Sequence, residues 1–245
     1  HSFPTRRSSD LIDIIERVEY LLNHSKAKDL KIKLIILCLT LYFDTSQGSF
    51  QEMHISLWRK AYSFLFSLNK LSTELYSEIS SQESTNTKIN DDEEEEDNII
   101  TKNYVLNLVQ GSILSFLERL ELELYKGLQF TEYSNRLDYV ERIKDEIKLI
   151  DLCILFINNP IILSSGNQNN KPHINLILIM HLYYRKSDNV KHILSKSNLE
   201  ESFLQSIFNE ISSKLENKSK IKAYLAYVYY KALNNDFQVA DEMFK

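Results

Sequence analysis

Glycine and proline are nearly missing from this chain, with four and three among 245 residues. So few turn-formers cannot supply the many tight connections of an all-β fold, where successive hairpins need residues of special backbone conformation. The glycines stand apart at positions 48, 111, 127 and 166. That leaves no G-x-G-x-x-G or Walker-type run to cradle a phosphate, and no nucleotide cofactor is expected. Cysteine is scarce too: Cys38 and Cys153 each lie alone in an apolar stretch, without C-x-x-C or Cys/His ligand spacing. They read as core residues, and with no secretory signal in view they fit a reducing, cytoplasmic setting. Apart from His1, the histidines are His24, His54, His173, His181 and His192, with no H-E-x-x-H among them, so no metal site is expected. His181 is expected to supply an interhelical hydrogen bond. The longest apolar runs, Leu34 to Phe43 and Ile174 to Tyr184, fall well short of the roughly 20 residues needed to span a membrane. Buried helices are expected instead.

Catalytic machinery is equally thin. Glu118, Glu121, Glu123, Glu141 and Glu146 are numerous enough for an acid–base set. Helical spacing, however, places several beside Arg119, Lys126, Arg142 or Lys144, as on a solvated helix face. No nucleophile, base and orienter fall together, so the chain reads as a non-enzyme with no catalytic, cofactor or metal residue to name. The formal charge is -5, from 29 basic and 34 acidic side chains. Seven of the acids form one run, Asp91 to Asp97, and outside it the chain is close to neutral. A dominant nucleic-acid surface would need clustered Lys and Arg. The acidic run lacks the spaced ligands and turn glycine of a calcium loop.

What is plentiful is aliphatic and aromatic side chain at helical period: 43% of residues are hydrophobic, and there are 14 tyrosines and 12 phenylalanines. Ile12 to Asn23 and Leu30 to Phe43 read as two packed helices, the second apolar nearly all round and therefore central. A third runs from about Met53 to Ile79, with Leu57, Trp58, Ala61, Leu65, Leu68, Leu71 and Leu75 on one side. Val105, Leu108, Val109, Phe116, Leu117, Leu120 and Leu124 mark a fourth. A fifth is expected from Ser134 or Asn135, with its stripe at Leu137, Val140, Ile143, Ile147, Ile150, Ile154 and Ile157, ending at Asn158-Asn159-Pro160. Further helices are expected at Ile174 to Tyr184, Asp188 to Ser195, Leu199 to Leu215, Lys220 to Leu233 and Phe237 to Phe244. Ala226, Tyr230 and Ala240 have the small-aromatic-small spacing of a tetratricopeptide-like hairpin, although any α-hairpin with alanines shares it.

The segments expected are therefore 12–79, N-terminal scaffold helices; 80–98, a disordered acidic loop of low hydrophobicity; 99–163, a central helical pair; 164–172, a flexible connection; and 173–245, C-terminal helices. Residues 1–11, HSFPTRRSSDL, match the translation of a common sequencing adapter and are expected to lie outside the fold, disordered. The whole reads as an all-α, extended helical repeat of the tetratricopeptide/PCI type, a right-handed superhelix. In the C-terminal third, Tyr183, Tyr184, Tyr224, Tyr227, Tyr229 and Tyr230 gather near Lys186, Lys191, Lys218, Lys220 and Lys222. Helix packing, a protein interface and a base-stacking RNA surface are the three readings of that cluster.

The run ILSFLERLELELYKGLQFTEYSNRLDYVERIKDE, residues 113 to 146, resembles the "LSFLER…E…K.LQ…YVE(R/H)(L/I)KDE" block of the c-subunit family of eukaryotic translation initiation factor three. Ile55 to Leu71 around Trp58 resembles that family's "MW…C…INEL" helix, and Met180 to Lys186 its "MHTYYKFD". Lys220 to Phe244 is similar to its "RTRA.LCHIYHHALH..W.QARDLML". Departures are visible: Tyr229, Tyr230 and Lys231 stand where the family has paired histidines, Phe237 where it has tryptophan, and Glu132, Tyr133 and Ser134 at its Asp-Pro-His turn. The resemblance implies a cytoplasmic, non-catalytic scaffold in translation initiation, seen here as an internal piece preceding a PCI module. It implies as partners the other subunits of that complex, initiation factors one and five, and the small ribosomal subunit, with no membrane and no small-molecule substrate. The same architecture would suit a subunit of the proteasome lid or signalosome, or a directly RNA-binding helical module.

Overall fold

Apolar residues recur every three to four positions along nearly the whole chain, and the backbone answers with helix throughout. The computed structural model describes residues 5–46, 53–85, 93–130, 136–164, 170–197, 199 and 202–244. Among them are eleven helices and no strand: α1 (Thr5–His24), α2 (Lys28–Ser46), α3 (Ile55–Thr85), α4 (Glu93–Phe130), α5 (Arg136–Ile157), α6 (Pro160–Ser164), α7 (Asn170–Leu182), α8 (Ser187–Ser195), α9 (Ser202–Lys214), α10 (Asn217–Leu233) and α11 (Phe237–Phe244). The all-α helical-repeat class expected from composition is the one found.

The chain divides into two compact units. The first comprises His1–Asp145 with Asn159–Ile161, and the second Glu146–Asn158 with Ile162–Lys245. In the first, consecutive helices pack in order, and α2 touches α1, α3 and α4. Its Ile32, Ile35, Cys38, Leu39, Tyr42 and Phe43 are buried, which places this nearly all-apolar helix at the centre. Burial pushes the Cys38 thiol up to about 11, with the nearby Glu19 carboxylate adding to the effect, so it is protonated and inert at neutral pH. Of the α3 stripe expected from sequence, Trp58, Ala61, Leu65, Leu68 and Leu75 are buried and Leu57 and Leu71 are half-buried; of the α4 stripe, Val105, Val109, Phe116, Leu117, Leu120 and Leu124 are buried and Leu108 is half-buried. Arg119 of α4 donates to the Phe43 carbonyl at 2.9 Å, satisfying one of the carbonyls left over in the last turn of α2.

In the second unit α7, α9 and α10 pack mutually and α11 lies on α10. Cys153 is fully buried here. Ala226, Tyr230 and Ala240 are all buried at the α10–α11 hairpin, as the small-aromatic-small spacing requires. Its turn is a Schellman motif: the Asp236 N–H donates to Lys231 O at 3.0 Å and the Asn235 N–H to Ala232 O at 3.1 Å. Asn235 carries the left-handed conformation this needs, at φ 65°. Asn235→Ala is therefore expected to destabilise the unit by about 1 kcal/mol and Asn235→Gly to be neutral or slightly stabilising, read from urea-unfolding midpoints.

Several helix bounds differ from those expected. Within 1–11, residues 5–11 belong to α1, because a helix already anchored by Ile15 and Val18 extends at the small cost of propagation; 1–4 lie outside the described residues. Within 80–98, α3 continues to Thr85 and α4 begins at Glu93, since glutamate is a good helix former; 86–92 are outside the described residues. Of the connection at 164–172, Ser164 closes α6 and 170–172 open α7, leaving 165–169 undescribed. The proposed α5 start at Ser134 or Asn135 is likewise outside them, and α9 starts at Ser202, not Leu199. The short α6 was not expected. Its signal is Asn159-Pro160: Asn159 Oδ1 accepts the Ile161 N–H at 2.9 Å, and proline occupies the first helical position, where no N–H is needed.

Candidate functional site

The family-like run holds a set of charges out of water. Glu123, Arg142, Asp145 and Glu146 are each no more than 5% exposed. Sequence spacing had put Glu123, Arg142 and Glu146 on solvated faces. That is overturned, because their partners come from elements far away in sequence. Leu137, Val140 and Ile143 are correspondingly exposed, at 81%, 48% and 39%, so the first half of the expected α5 stripe faces solvent and its charged side faces inward.

In the first unit, Met53 just before α3 is gripped by side chains on both its backbone groups. Its N–H donates to Glu123 Oε2 at 3.0 Å, and its carbonyl accepts from Arg142 Nη2 at 3.1 Å. Lys126 pairs with the other Glu123 oxygen at 2.8 Å. One turn further along α3, Arg59 spans Asp145, at 2.9 Å from Nε, and Glu141, at 2.8 Å from Nη2. Lys144 also donates to Glu141, at 2.7 Å, and with Arg59 holds that carboxyl down at about 2. Trp58 is 2% exposed, and its indole N–H donates to the Leu120 carbonyl at 2.9 Å. Asn159 joins the unit by donating to Asn69 Oδ1 at 2.7 Å.

Glycine at 127 belongs to this arrangement. A Cβ there would stand 2.2 Å from Arg142 Nη1, whereas one at Gly111 would meet nothing within 4 Å. Two alanine substitutions in one helix are thus expected to differ in sign. Gly111→Ala should stabilise by about 0.5–1 kcal/mol through helix propensity. Gly127→Ala should displace Arg142 and lose a charge-assisted bond worth about 1.5–3 kcal/mol, which outweighs the same gain. Urea midpoints of the two variants make the comparison.

In the second unit Glu146 is the hub. His181 Nδ1–H donates to its Oε1 at 2.7 Å, Tyr184 OH donates to the same oxygen, and Arg185 Nη2 donates to Oε2. The interhelical bond expected of His181 is this one. Burial alone pushes the Glu146 carboxyl up, but the bonds from His181 and Tyr184 and the charges beside it outweigh that and hold its pKa below the ordinary value. Burial, reinforced by Glu146, pushes the Tyr184 hydroxyl up. Each of these groups is committed to a structural partner.

The remaining candidates divide. Glu118 is exposed, as are His24, His54 and His192. No group of three His, Cys, Asp or Glu among the described residues is arranged to hold a metal ion. An open hollow of about 640 Å³ lies along α1, lined by Asp13, Glu16, Arg17, Tyr20 and Leu21. Among the described residues no helix is long and apolar enough to cross a membrane. Of the tyrosines, Tyr227 and Tyr230 are core, with Tyr227 stacked on Phe208 at 4.7 Å, and Tyr224 donates to the Met243 carbonyl. Tyr183, Tyr184 and Tyr229 form a cluster of edge-on rings at the surface.

The family model described as "Eukaryotic translation initiation factor 3 subunit 8 N-terminus" matches residues 5–244. A Candida glabrata protein, named as the c-subunit of eukaryotic translation initiation factor 3, is 25% identical over 97% of this chain and 32% of its own length. The protein of the same name from Scheffersomyces stipitis is 24% identical over 98% of this chain and 30% of its length. The one from Lodderomyces elongisporus is 28% identical over 57% of this chain and 18% of its length. This chain thus spans about a third of the length of the relatives that it matches from end to end.

Proposed function

Because this chain belongs to the family of the N-terminal part of eukaryotic translation initiation factor 3 subunit 8, we propose that it is a non-catalytic scaffold region of that initiation factor complex. In this reading it acts in the cytoplasm by protein–protein contact, supporting assembly on the small ribosomal subunit and start-codon selection. The observation that carries it is where the charges of the family-like run go. Glu123, Arg142, Asp145 and Glu146 bind helices to one another and to Met53. Buried polar networks of this kind favour one arrangement of the helices, and a defined surface is what a scaffold offers to its neighbours. The same run separates this reading from a proteasome-lid or signalosome subunit, which would share the helical architecture without it.

Affinity purification of the protein that carries this chain, with its companions identified by mass spectrometry, tests the proposal. Other initiation factor 3 subunits and the small ribosomal subunit are the expected companions. Recovery of proteasome-lid or signalosome subunits without them would reject it.

A further inference from the structure

Helix α10 has two unlike faces. Ala223, Ala226, Tyr227 and Tyr230 are buried, whereas Ile221, Leu225 and Tyr229 are 58%, 52% and 52% exposed. Those three fall at i, i+4 and i+8 and therefore form one stripe on the opposite side of the helix. Lys218 and Lys222 share the stripe by spacing and are exposed, and neither makes an ion pair among the described residues. Lys220 falls by the same spacing on a different side of the helix. The α10 sequence, NKSKIKAYLAYVYYKAL, contains four lysines and no carboxylate.

We propose that this face of α10 is a docking surface for an acidic amphipathic helix of another subunit, and the inference rests on the scaffold reading above. Ile221 and Leu225 ask for apolar side chains at matching helical spacing, while Lys218 and Lys222 at the rim ask for carboxylates. Tyr229 is held ready, edge-on to Tyr183 at 5.5 Å, which is in turn edge-on to Tyr184 at 5.3 Å. A ring fixed before binding loses little freedom on docking, as suits an aromatic anchor. RNA fits this face less well. Ile221 and Leu225 offer nothing to a phosphate, and the cluster's rings meet edge to face instead of forming parallel platforms. Arg185, which follows Tyr183 and Tyr184 in the chain and would be the stronger phosphate ligand, is bound to Glu146.

The test uses the full-length protein in its assembled complex, with the photoreactive residue p-benzoylphenylalanine at position 225. Co-purification of initiation factor 3 subunits with the unaltered protein is measured first, and its absence would remove the scaffold reading and this inference with it. With co-purification intact, irradiation is expected to link position 225 to a segment of another subunit whose apolar residues recur at helical spacing with Asp or Glu beside them. Lys218→Glu combined with Lys222→Glu should cut the yield by about tenfold or more, while Lys218→Arg with Lys222→Arg should preserve it. Circular dichroism should be unchanged, since both positions are exposed. Attachment to RNA, to a second copy, to another part of the same polypeptide or to a segment without acidic residues overturns the inference and leaves the scaffold reading standing. No attachment at all has the same meaning.

Discussion

Replacing Trp58 with alanine is expected to cost the first unit about 3–5 kcal/mol, the largest loss of any single truncation in its core. The indole is 2% exposed, stacks on Tyr62 at a ring separation of 6.0 Å and donates its N–H to the Leu120 carbonyl of α4. Truncation thus removes the packing and the tie between α3 and α4 together. Trp58→Phe keeps much of the packing and isolates the hydrogen bond, for which about 1 kcal/mol is expected. Trp58 is the sole tryptophan, so unfolding of these variants has to be followed by helical circular dichroism. A loss below about 1 kcal/mol for the alanine variant would mean that the site collapses freely around the missing ring.

Glu146→Ala is expected to be comparably severe in the second unit, at about 3–5 kcal/mol, because it strands the buried Arg185 guanidinium without its counter-charge. The side chains of Glu146 and Arg185 are 7% and 17% exposed. Glu146→Gln, which keeps the shape and loses the charge, should fall between this variant and the parent chain. The carboxyl also sets a pH dependence. Its folded pKa lies below the ordinary value, so its contribution is complete above the unfolded value of about 4.3 and is lost as pH falls through the lower, folded value. Acid should therefore destabilise the parent more than Glu146→Ala, and urea midpoints converging on acidification would report it. Parallel midpoints across that range would show that Glu146 titrates alike in both states.

Most helices were legible because each buries an aliphatic stripe at its own period, and period is a local property. Trp58, Leu65 and Leu117 announce themselves within one turn of chain. The first half of α5 does not. Leu137, Val140 and Ile143 have the spacing of a core face, yet the inward side is Arg142 and Asp145, whose partners Met53 and Arg59 lie 89 and 86 residues away. No window of sequence contains both ends of such a pair, so the charges looked solvated and the aliphatics buried. Helix ends are hard to read for a related reason: α4 opens in a glutamate run with helix propensity but no apolar stripe, and α3 continues into polar sequence that has no stripe either. The α6 turn was missed because five residues are too few to show a period. Function was not legible from chemistry at all. The family was legible through the resemblance of residues 113 to 146, and the structure supplies a physical reason for that run: Glu123 and Arg142 grip Met53, Gly127 leaves room for Arg142, Asp145 binds Arg59 and Glu146 binds His181.

Each unit also seals in one sulfhydryl. Cys38 and Cys153 are both fully shielded, so a thiol-specific reagent can reach either of them only when the helices around it part. The chain thus contains two natural clocks. The labelling rate at each cysteine, resolved by mass spectrometry, times the breathing of its own unit without any engineered probe.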